Sequence, residues 1–126
     1  MKVFVYGTLK NGYGNNRLLS DCDLLSVAYL ANHKLLHAGF PVLVPEEGSR
    51  VRGEVWEVPE KIKDQVVERL DWLENEGNMY DRITITVNDG ETEHECYTYL
   101  GNPKFWDNFV DMKPEPVIDG AYTWQR

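Results

Sequence analysis

Two stretches of this chain hold residue types that can do chemistry. The first is Val3-Phe4-Val5-Tyr6-Gly7-Thr8-Leu9-Lys10-Asn11-Gly12, an apolar run that stops at a glycine and opens into small and polar residues. Glycine lets the chain turn sharply and lets other atoms approach its backbone, so such a strand end can offer bare N–H groups to an anion. Nucleotide loops are rejected by spacing. Gly7 and Gly12 stand where a P-loop has its glycines, but Tyr13-Gly14 replaces the lysine and hydroxyl, and Arg17 stands where a dinucleotide fingerprint needs its third glycine. Two readings remain: a Gly/Asn-rich turn joining a strand to a helix, or a backbone cradle for a carboxylate or oxyanion.

The second stretch surrounds Glu74. At about 100° per residue, Glu74 lies beside Val67 and Leu70, on the flank of a helical apolar stripe. Partial desolvation and the negative end of the helix dipole both raise a carboxyl pKa, which makes it a better base and proton shuttle near neutral pH. The competing reading is a surface glutamate at a fraying helix end. Asp71 points well away from the stripe's centre and reads as solvated. Tyr80 could cap a pocket or donate a hydrogen bond, and Arg82 could pair with a carboxylate at the core edge; structural roles fit both equally well.

Other candidates are weaker. His33 and His37 have the i, i+4 spacing of helical metal ligands, but no carboxylate or thiol matches them, and Gly39 and Pro41 argue against a long helix there. His94 falls in a polar hairpin and is expected to be exposed. Trp56, Trp72, Trp106 and Trp124 read as core and pocket wall, because the chain is too acidic for a base-stacking platform. Cys22 and Cys96, far apart and in no metal-like spacing, read as two free thiols.

These residues must be positioned by a chain of 126 residues, a length that fits a single domain over 1–126. A net charge of −8 argues against sequence-independent nucleic-acid binding and against an anionic membrane surface. No apolar run approaches the ~20 residues of a membrane helix, and no leader pattern opens the chain, so a cytoplasmic location is expected. Val3 to Tyr6 reads as a strand buried on both faces. A short helical segment is expected near Arg17 to Ser20, and a strand within Val27 to Leu36. Val42 to Val44 reads as a short apolar segment, and Val51 to Val58 as a separate strand ending at Pro59. The clearest helix spans about Pro59 to Glu74, with Ile62, Val66, Leu70 and Leu73 on one stripe and Gly77 as a stop. Asn88-Asp89-Gly90, between Ile83–Val87 and Glu95–Leu100, is a hairpin signal. The proline- and aromatic-rich part after Gly101 is expected to wrap the surface. The order indicates a mixed α/β domain built around a sheet or small barrel, without the several crossover helices of a doubly wound fold.

Taken in order, the motifs resemble the γ-glutamylcyclotransferase-like family, which includes γ-glutamylamine cyclotransferases and AIG2-like proteins. The carrying residues are Val3 to Lys10 with Gly12, Asn16-x-Leu18-Leu19, Phe40-Pro41-Val42-Leu43 and Val51-x-Gly53-Glu54-Val55-Trp56-Glu57-Val58. Leu70-Asp71-x-Leu73-Glu74, Tyr80-Asp81-Arg82, Tyr97-x-Tyr99 and Ile118-x-Gly120 continue the series. The resemblance implies an α+β fold, a small mixed β-barrel with flanking helices and one pocket at its mouth. It also implies a reaction in which a γ-glutamyl amide cyclises to 5-oxoproline and releases an amine or amino acid, with no cofactor and no metal. Glu74 would be the general acid/base, Tyr6, Gly7, Thr8 and Leu9 would line the γ-glutamyl site, and Tyr80 and Tyr99 would be pocket residues. The expected partner is a small γ-glutamyl substrate, with no nucleic acid and no membrane, and the protein a monomer or weak homodimer. Two positions depart from the family pattern: Asn75-Glu76 stand between Glu74 and Gly77, and Gly120-Ala121-Tyr122 replaces Gly-Asp-Trp. The alternatives are a non-catalytic binding or regulatory module that keeps the pocket, and a protein–protein module using the aromatic C-terminal segment.

Overall fold

The N-terminal apolar run forms β1 (Lys2–Val5), and the sheet is assembled around it. The computed structural model describes residues 1–107 and 112–125. β1 pairs antiparallel with β3 (Pro41–Glu57), Val3 opposite Trp56, and parallel with β5 (Glu93–Gly101), Val3 opposite Tyr97. β2 (Asp23–His37) runs antiparallel to β3 along nearly its whole length, and β4 (Tyr80–Asn88) runs antiparallel to β5. A single contact between β2 and β4, Tyr29 opposite Asn88, completes the ring β1-β3-β2-β4-β5. The result is a closed five-stranded mixed barrel. Three two-residue strands extend it: β6 (Lys113–Pro114) on β2, β8 (Ala121–Tyr122) on β3, and β7 (Val117–Ile118) on β8.

Period-2 alternation, with a core on each face, explains why Val3 to Tyr6 is apolar throughout. Phe4 and Tyr6 enter the barrel interior with Leu30, Leu43, Val55 and Trp124. Val3 and Val5 face the other way and pack with Val66 and Leu70 of the helix α1 (Lys63–Glu74). Each fully buried side chain of this kind contributes roughly 1.5–3 kcal/mol relative to exposure. Ile62 and Leu73, the outer members of the expected stripe, are partly buried against the same cluster.

The helix begins later than Pro59. A 3₁₀ turn over Glu60–Ile62 comes first, and α1 starts at Lys63. The helical segment expected near Arg17 is a 3₁₀ turn over Gly14–Leu19. The separation expected between Val44 and Val51 does not occur, because β3 is one long strand. It accommodates Pro45 and the following residues by a bulge: Ala31 pairs with Arg50, but His33 pairs with Pro45, and Gly48 takes a φ of 83°. Asn32, also in the left-handed region at φ 61°, accepts the Gly48 N–H on its side chain and locks the bulge. His33 and His37 lie on β2, not on a helix, so residues four apart are ~13 Å apart along it.

The hairpin signal at Asn88-Asp89-Gly90 is observed: Asn88 pairs with Glu93, and Gly90 adopts a φ of 98°. His94 is buried rather than exposed, at 8%. The turn folds back so that His94 Nε2 donates to Asp89 Oδ2 at 2.8 Å while Nδ1 accepts from Lys2 Nζ at 3.0 Å. Trp72 is also corrected: it is 85% exposed on the outer side of α1, whereas Trp56, Trp106 and Trp124 are buried. Cys22 and Cys96 are free and buried, as expected of two thiols. After Gly101 come a short helix α2 (Pro103–Trp106) and the three short strands; part of that segment, 108–111, lies outside the described residues.

Gly53 on β3 is where the barrel wall is tightest. A Cβ there would stand 2.5 Å from both the Val5 carbonyl oxygen and the Phe4 ring. The neighbour is backbone and cannot swing aside. Gly53→Ala is therefore expected to destabilise the protein by about 2 kcal/mol, read as a lower urea midpoint at unchanged slope. An unchanged midpoint would show that the β1–β3 contact yields freely.

Candidate functional site

Glu74 is the last residue of α1, and the chain leaves the helix at Asn75 in the left-handed region, φ 51°. Asparagine tolerates that conformation better than most L residues. The Asn75 and Glu76 N–H groups close the helix onto the Trp72 and Asp71 carbonyls at 3.3 and 2.9 Å. The Asn75 carbonyl then accepts from the Asn78 and Met79 N–H groups, both at 3.0 Å. Asn75 thus performs the turn that a glycine directly after Glu74 would perform, and the Glu74 to Tyr80 spacing keeps a tightly bonded loop.

Across from Glu74 is the turn after β1. Lys10 N–H donates to the Gly7 carbonyl at 3.0 Å and Asn15 N–H to the Thr8 carbonyl at 3.1 Å. Asn16 Nδ2 donates to the Leu9 carbonyl at 2.8 Å, and Asn15 Nδ2 to Thr8 Oγ1 at 2.9 Å. The carbonyls are therefore engaged, while the N–H groups of Gly7, Thr8 and Leu9 donate to no protein acceptor among the described residues. Gly7 is required by contact, since a Cβ there would meet Pro41 Cγ at 2.6 Å.

This turn, Glu74, Tyr80 and Tyr99 line one cavity of about 290 Å³, with Phe40 and Pro41 of the β2–β3 hairpin tip on another wall. Its size is near the lower end of small-molecule pockets. Every residue assigned to the site from sequence, Tyr6, Gly7, Thr8, Leu9, Glu74, Tyr80 and Tyr99, is brought to it. No hydrogen-bond donor meets the Glu74 carboxyl among the described residues, and burial pushes its pKa up from 4.5 to about 7. The flank position on the helix leads into the pocket, where Glu74 is half-buried.

The three phenols are tied to protein acceptors. Tyr6 OH donates to the Tyr99 carbonyl at 2.6 Å, Tyr80 OH to the Pro41 carbonyl at 3.0 Å, and Tyr99 OH to Asp71 Oδ1 at 2.6 Å. Burial, with the nearby Glu74 charge as a smaller contribution, holds all three well above the usual phenol range. Asp71 is only partly solvated, its side chain 28% exposed. The flank of α1 that carries it lies over the β4–β5 edge, where it accepts from Tyr99 and pairs with the Arg82 guanidinium. Arg82 does pair with a core-edge carboxylate. Asp71 was missed as a site residue because its partners are 11 and 28 positions away in sequence; helix periodicity carries no signal of them.

The structure is a closed mixed barrel with one cavity lined by both the Glu74 carboxyl and the Gly7–Leu9 turn. Over residues 3–123 the sequence matches the family described as "Gamma-glutamyl cyclotransferase, AIG2-like", and the chain belongs to that family. It is 33% identical over 108 residues to the gamma-L-glutamyl-butirosin B gamma-glutamyl cyclotransferase of Niallia circulans, covering 79% of this chain and 66% of that protein. It is 34% identical over 113 residues to gamma-glutamylaminecyclotransferase B of Danio rerio, covering 77% of this chain and 57% of that protein. This chain therefore matches only about three-fifths to two-thirds of the length of these relatives. The crystal structure of an AIG2-like protein from Mus musculus superposes with a TM-score of 0.70 at 25% identity, covering 99% of this chain and 95% of that one. The barrel with flanking helices expected from sequence is the fold of that family. No helix among the described residues is long and apolar enough to cross a membrane.

The raised Glu74 pKa has a consequence for stability. The folded state retains the proton more tightly than the unfolded chain, so the associated stability is fully present below about pH 4.5 and is lost as pH rises to about 7. Glu74→Gln is fixed neutral and lacks this loss. Above pH 7 the variant is expected to be more stable than the parent by up to about 3 kcal/mol, with the difference vanishing near pH 4. Paired denaturant curves across that range check it, and a pH-independent difference would contradict the desolvated carboxyl.

Proposed function

We propose that the protein cyclises a γ-glutamyl amide to 5-oxoproline and releases the amine, with Glu74 as general base and then general acid. The observation that carries this reading is the unpaired, desolvated Glu74 carboxyl on the same cavity as the open Gly7–Leu9 N–H groups. Membership in the γ-glutamyl cyclotransferase, AIG2-like family supports it independently.

In this reading the substrate's α-carboxylate sits on the Gly7–Leu9 N–H groups, which are well suited to an anion. The α-amine then turns back toward the γ-carbonyl. The nucleophile belongs to the substrate, so the pocket needs no serine or cysteine of its own. Fixing that geometry supplies the intramolecular advantage, several kcal/mol when the reacting atoms are aligned. The α-nitrogen forms a bond to the γ-carbon, and the bond from that carbon to the leaving nitrogen breaks. Glu74 takes a proton from the attacking nitrogen and passes it to the leaving nitrogen. A carboxyl titrating at about 7 suits both transfers near neutrality.

The lining also bears on the leaving group. Among the described residues no Lys, Arg or His lines the cavity. The backbone cradle serves one carboxylate; a second, on a leaving amino acid, meets no cation. The relatives named for a γ-glutamyl-butirosin and for γ-glutamylamine accord with an amine as the leaving group.

Glu74→Gln is expected to lower kcat for 5-oxoproline formation by about 10²–10⁴-fold with a small change in KM. Retention of full activity would overturn the acid/base assignment. In the parent, kcat/KM should rise with pH up to about 7 as the carboxyl ionises. A γ-glutamyl alkylamine is expected to exceed a γ-glutamyl amino acid of similar size by about tenfold in kcat/KM, the worth of one charge-assisted hydrogen bond. The reverse order would place a cation at the leaving-group end.

A further inference from the structure

The proton positions of the cavity's phenols have a chemical meaning beyond packing. A tyrosine hydroxyl has one proton to donate and lone pairs to accept with. Tyr80 gives its proton to the Pro41 carbonyl at 3.0 Å and Tyr99 gives its own to Asp71 Oδ1 at 2.6 Å. Tyr6 gives its proton to the Tyr99 carbonyl at 2.6 Å. Each proton is spent on a protein acceptor, so the Tyr80 and Tyr99 oxygens keep only lone pairs, and at Tyr99 these are shared between the cavity and the Arg82 guanidinium. Glu74, unpaired in the same cavity, is an acceptor when ionised.

Of these commitments the one at Asp71 is separable. The acceptors of Tyr6 and Tyr80 are backbone carbonyls, whereas Tyr99 is oriented by a side chain that touches no other wall of the cavity. Asp71 is itself held by the Arg82 guanidinium, and Arg82 is fastened by its backbone N–H to Glu76 Oε2 at 3.2 Å. The chain of contacts therefore runs from β4 through Arg82 and Asp71 to Tyr99, one helical turn away from Glu74.

We infer that Asp71 is a positioning residue: by holding the Tyr99 proton it makes Tyr99, with Tyr80 and Glu74, an acceptor cluster for the α-ammonium group of the substrate. The ligand in this inference rests on the cyclotransferase reading; the orientation of Tyr99 does not. An ammonium held by three acceptors faces the base that must deprotonate it, and the neutral amine left behind keeps N–H donors for the two phenols. Were the Tyr99 proton released, it would turn to the strongest acceptor in the cavity, the Glu74 carboxylate. A hydrogen bond to the charged form lowers a carboxyl pKa. The base would become weaker and the ammonium would lose an acceptor.

The titratable groups facing Glu74 are Tyr6 at the end of β1, Tyr80 on β4 and Tyr99 on β5, with Asp71 on its own helix; the hairpin tip contributes the uncharged Phe40 and Pro41. The test is to titrate Glu74 in the ligand-free protein by carboxyl NMR in four forms: parent, Asp71→Leu, Asp71→Asn, and Asp71→Leu combined with Tyr99→Phe. Asp71→Leu should lower the Glu74 midpoint by about one pH unit. Asp71→Asn keeps an acceptor oxygen for the phenol and should leave the midpoint near that of the parent. The double variant has no phenol proton to redirect and should return it there. An equal fall in the single and double leucine variants, or no fall in a folded Asp71→Leu protein, would overturn the inference.

Binding supplies the second readout, with L-glutamate and glutarate as probes that differ in the ammonium group. The parent should favour L-glutamate by about tenfold, and Asp71→Leu should reduce that preference while leaving glutarate affinity unchanged. Equal loss for both ligands would mark Asp71 as a merely structural residue. If neither ligand binds the parent, the ammonium assignment fails along with the substrate reading, while the NMR titration still decides the role of Asp71 at Tyr99.

Discussion

The strand buried on both faces is the constraint from which the rest of the molecule follows. β1 has only four residues, yet its two faces feed two different cores, Phe4 toward the barrel interior and Val3 and Val5 toward α1. It is also the strand that takes an antiparallel neighbour on one side and a parallel one on the other. Such a strand cannot shift by one residue without exchanging its inner and outer side chains. Its end is fixed accordingly, and the turn beginning at Gly7 is held against Pro41 with no space for a Cβ. The open N–H groups of that turn inherit their position from the most constrained part of the fold.

The carboxyl opposite is placed by a less rigid device, the end of a helix. α1 is anchored to β1 through Val66 and Leu70, and the left-handed turn at Asn75 ends it one residue after Glu74. A helix continued by another turn would have carried the chain past the cavity. The same packing that orients Glu74 removes water from around it, so the desolvation that suits a proton shuttle opposes folding above neutral pH. A site of this kind stores part of its chemistry as unfavourable burial, tolerated because the two cores on either side of β1 supply a larger favourable contribution.

Several polar groups outside the cavity are engaged within the protein. His94 is buried but fully engaged between Asp89 and Lys2, and Asn32 closes the β3 bulge through Gly48. The three phenols of the cavity are likewise saturated as donors. The Glu74 carboxyl and the N–H groups after Tyr6 have no protein partner among the described residues, and both line the same cavity, while Ser26 Oγ and Glu115 Oε2 are buried without a partner elsewhere.

By itself the sequence determined the N-terminal strand (expected over Val3–Tyr6, observed over Lys2–Val5), the helix ending near Glu74, the hairpin at Asn88–Gly90 and the family, because each depends on local periodicity, turn chemistry or motif order. It also pointed to the residues of the pocket, since Tyr-Gly-Thr-Leu and Leu-Asp-x-Leu-Glu are contiguous motifs. Only the tertiary structure decided that Pro41–Glu57 is one bulged strand, that His94 is buried and Trp72 exposed, and that Asp71 serves Tyr99 and Arg82. Each of those depends on which distant segment lies opposite: Asn32 on β2 for the bulge, Lys2 for His94, β4 and β5 for Asp71. A periodicity can say that a residue lies on the flank of a helix. What that flank faces is settled by barrel closure, which brings together residues that have no local reason to meet.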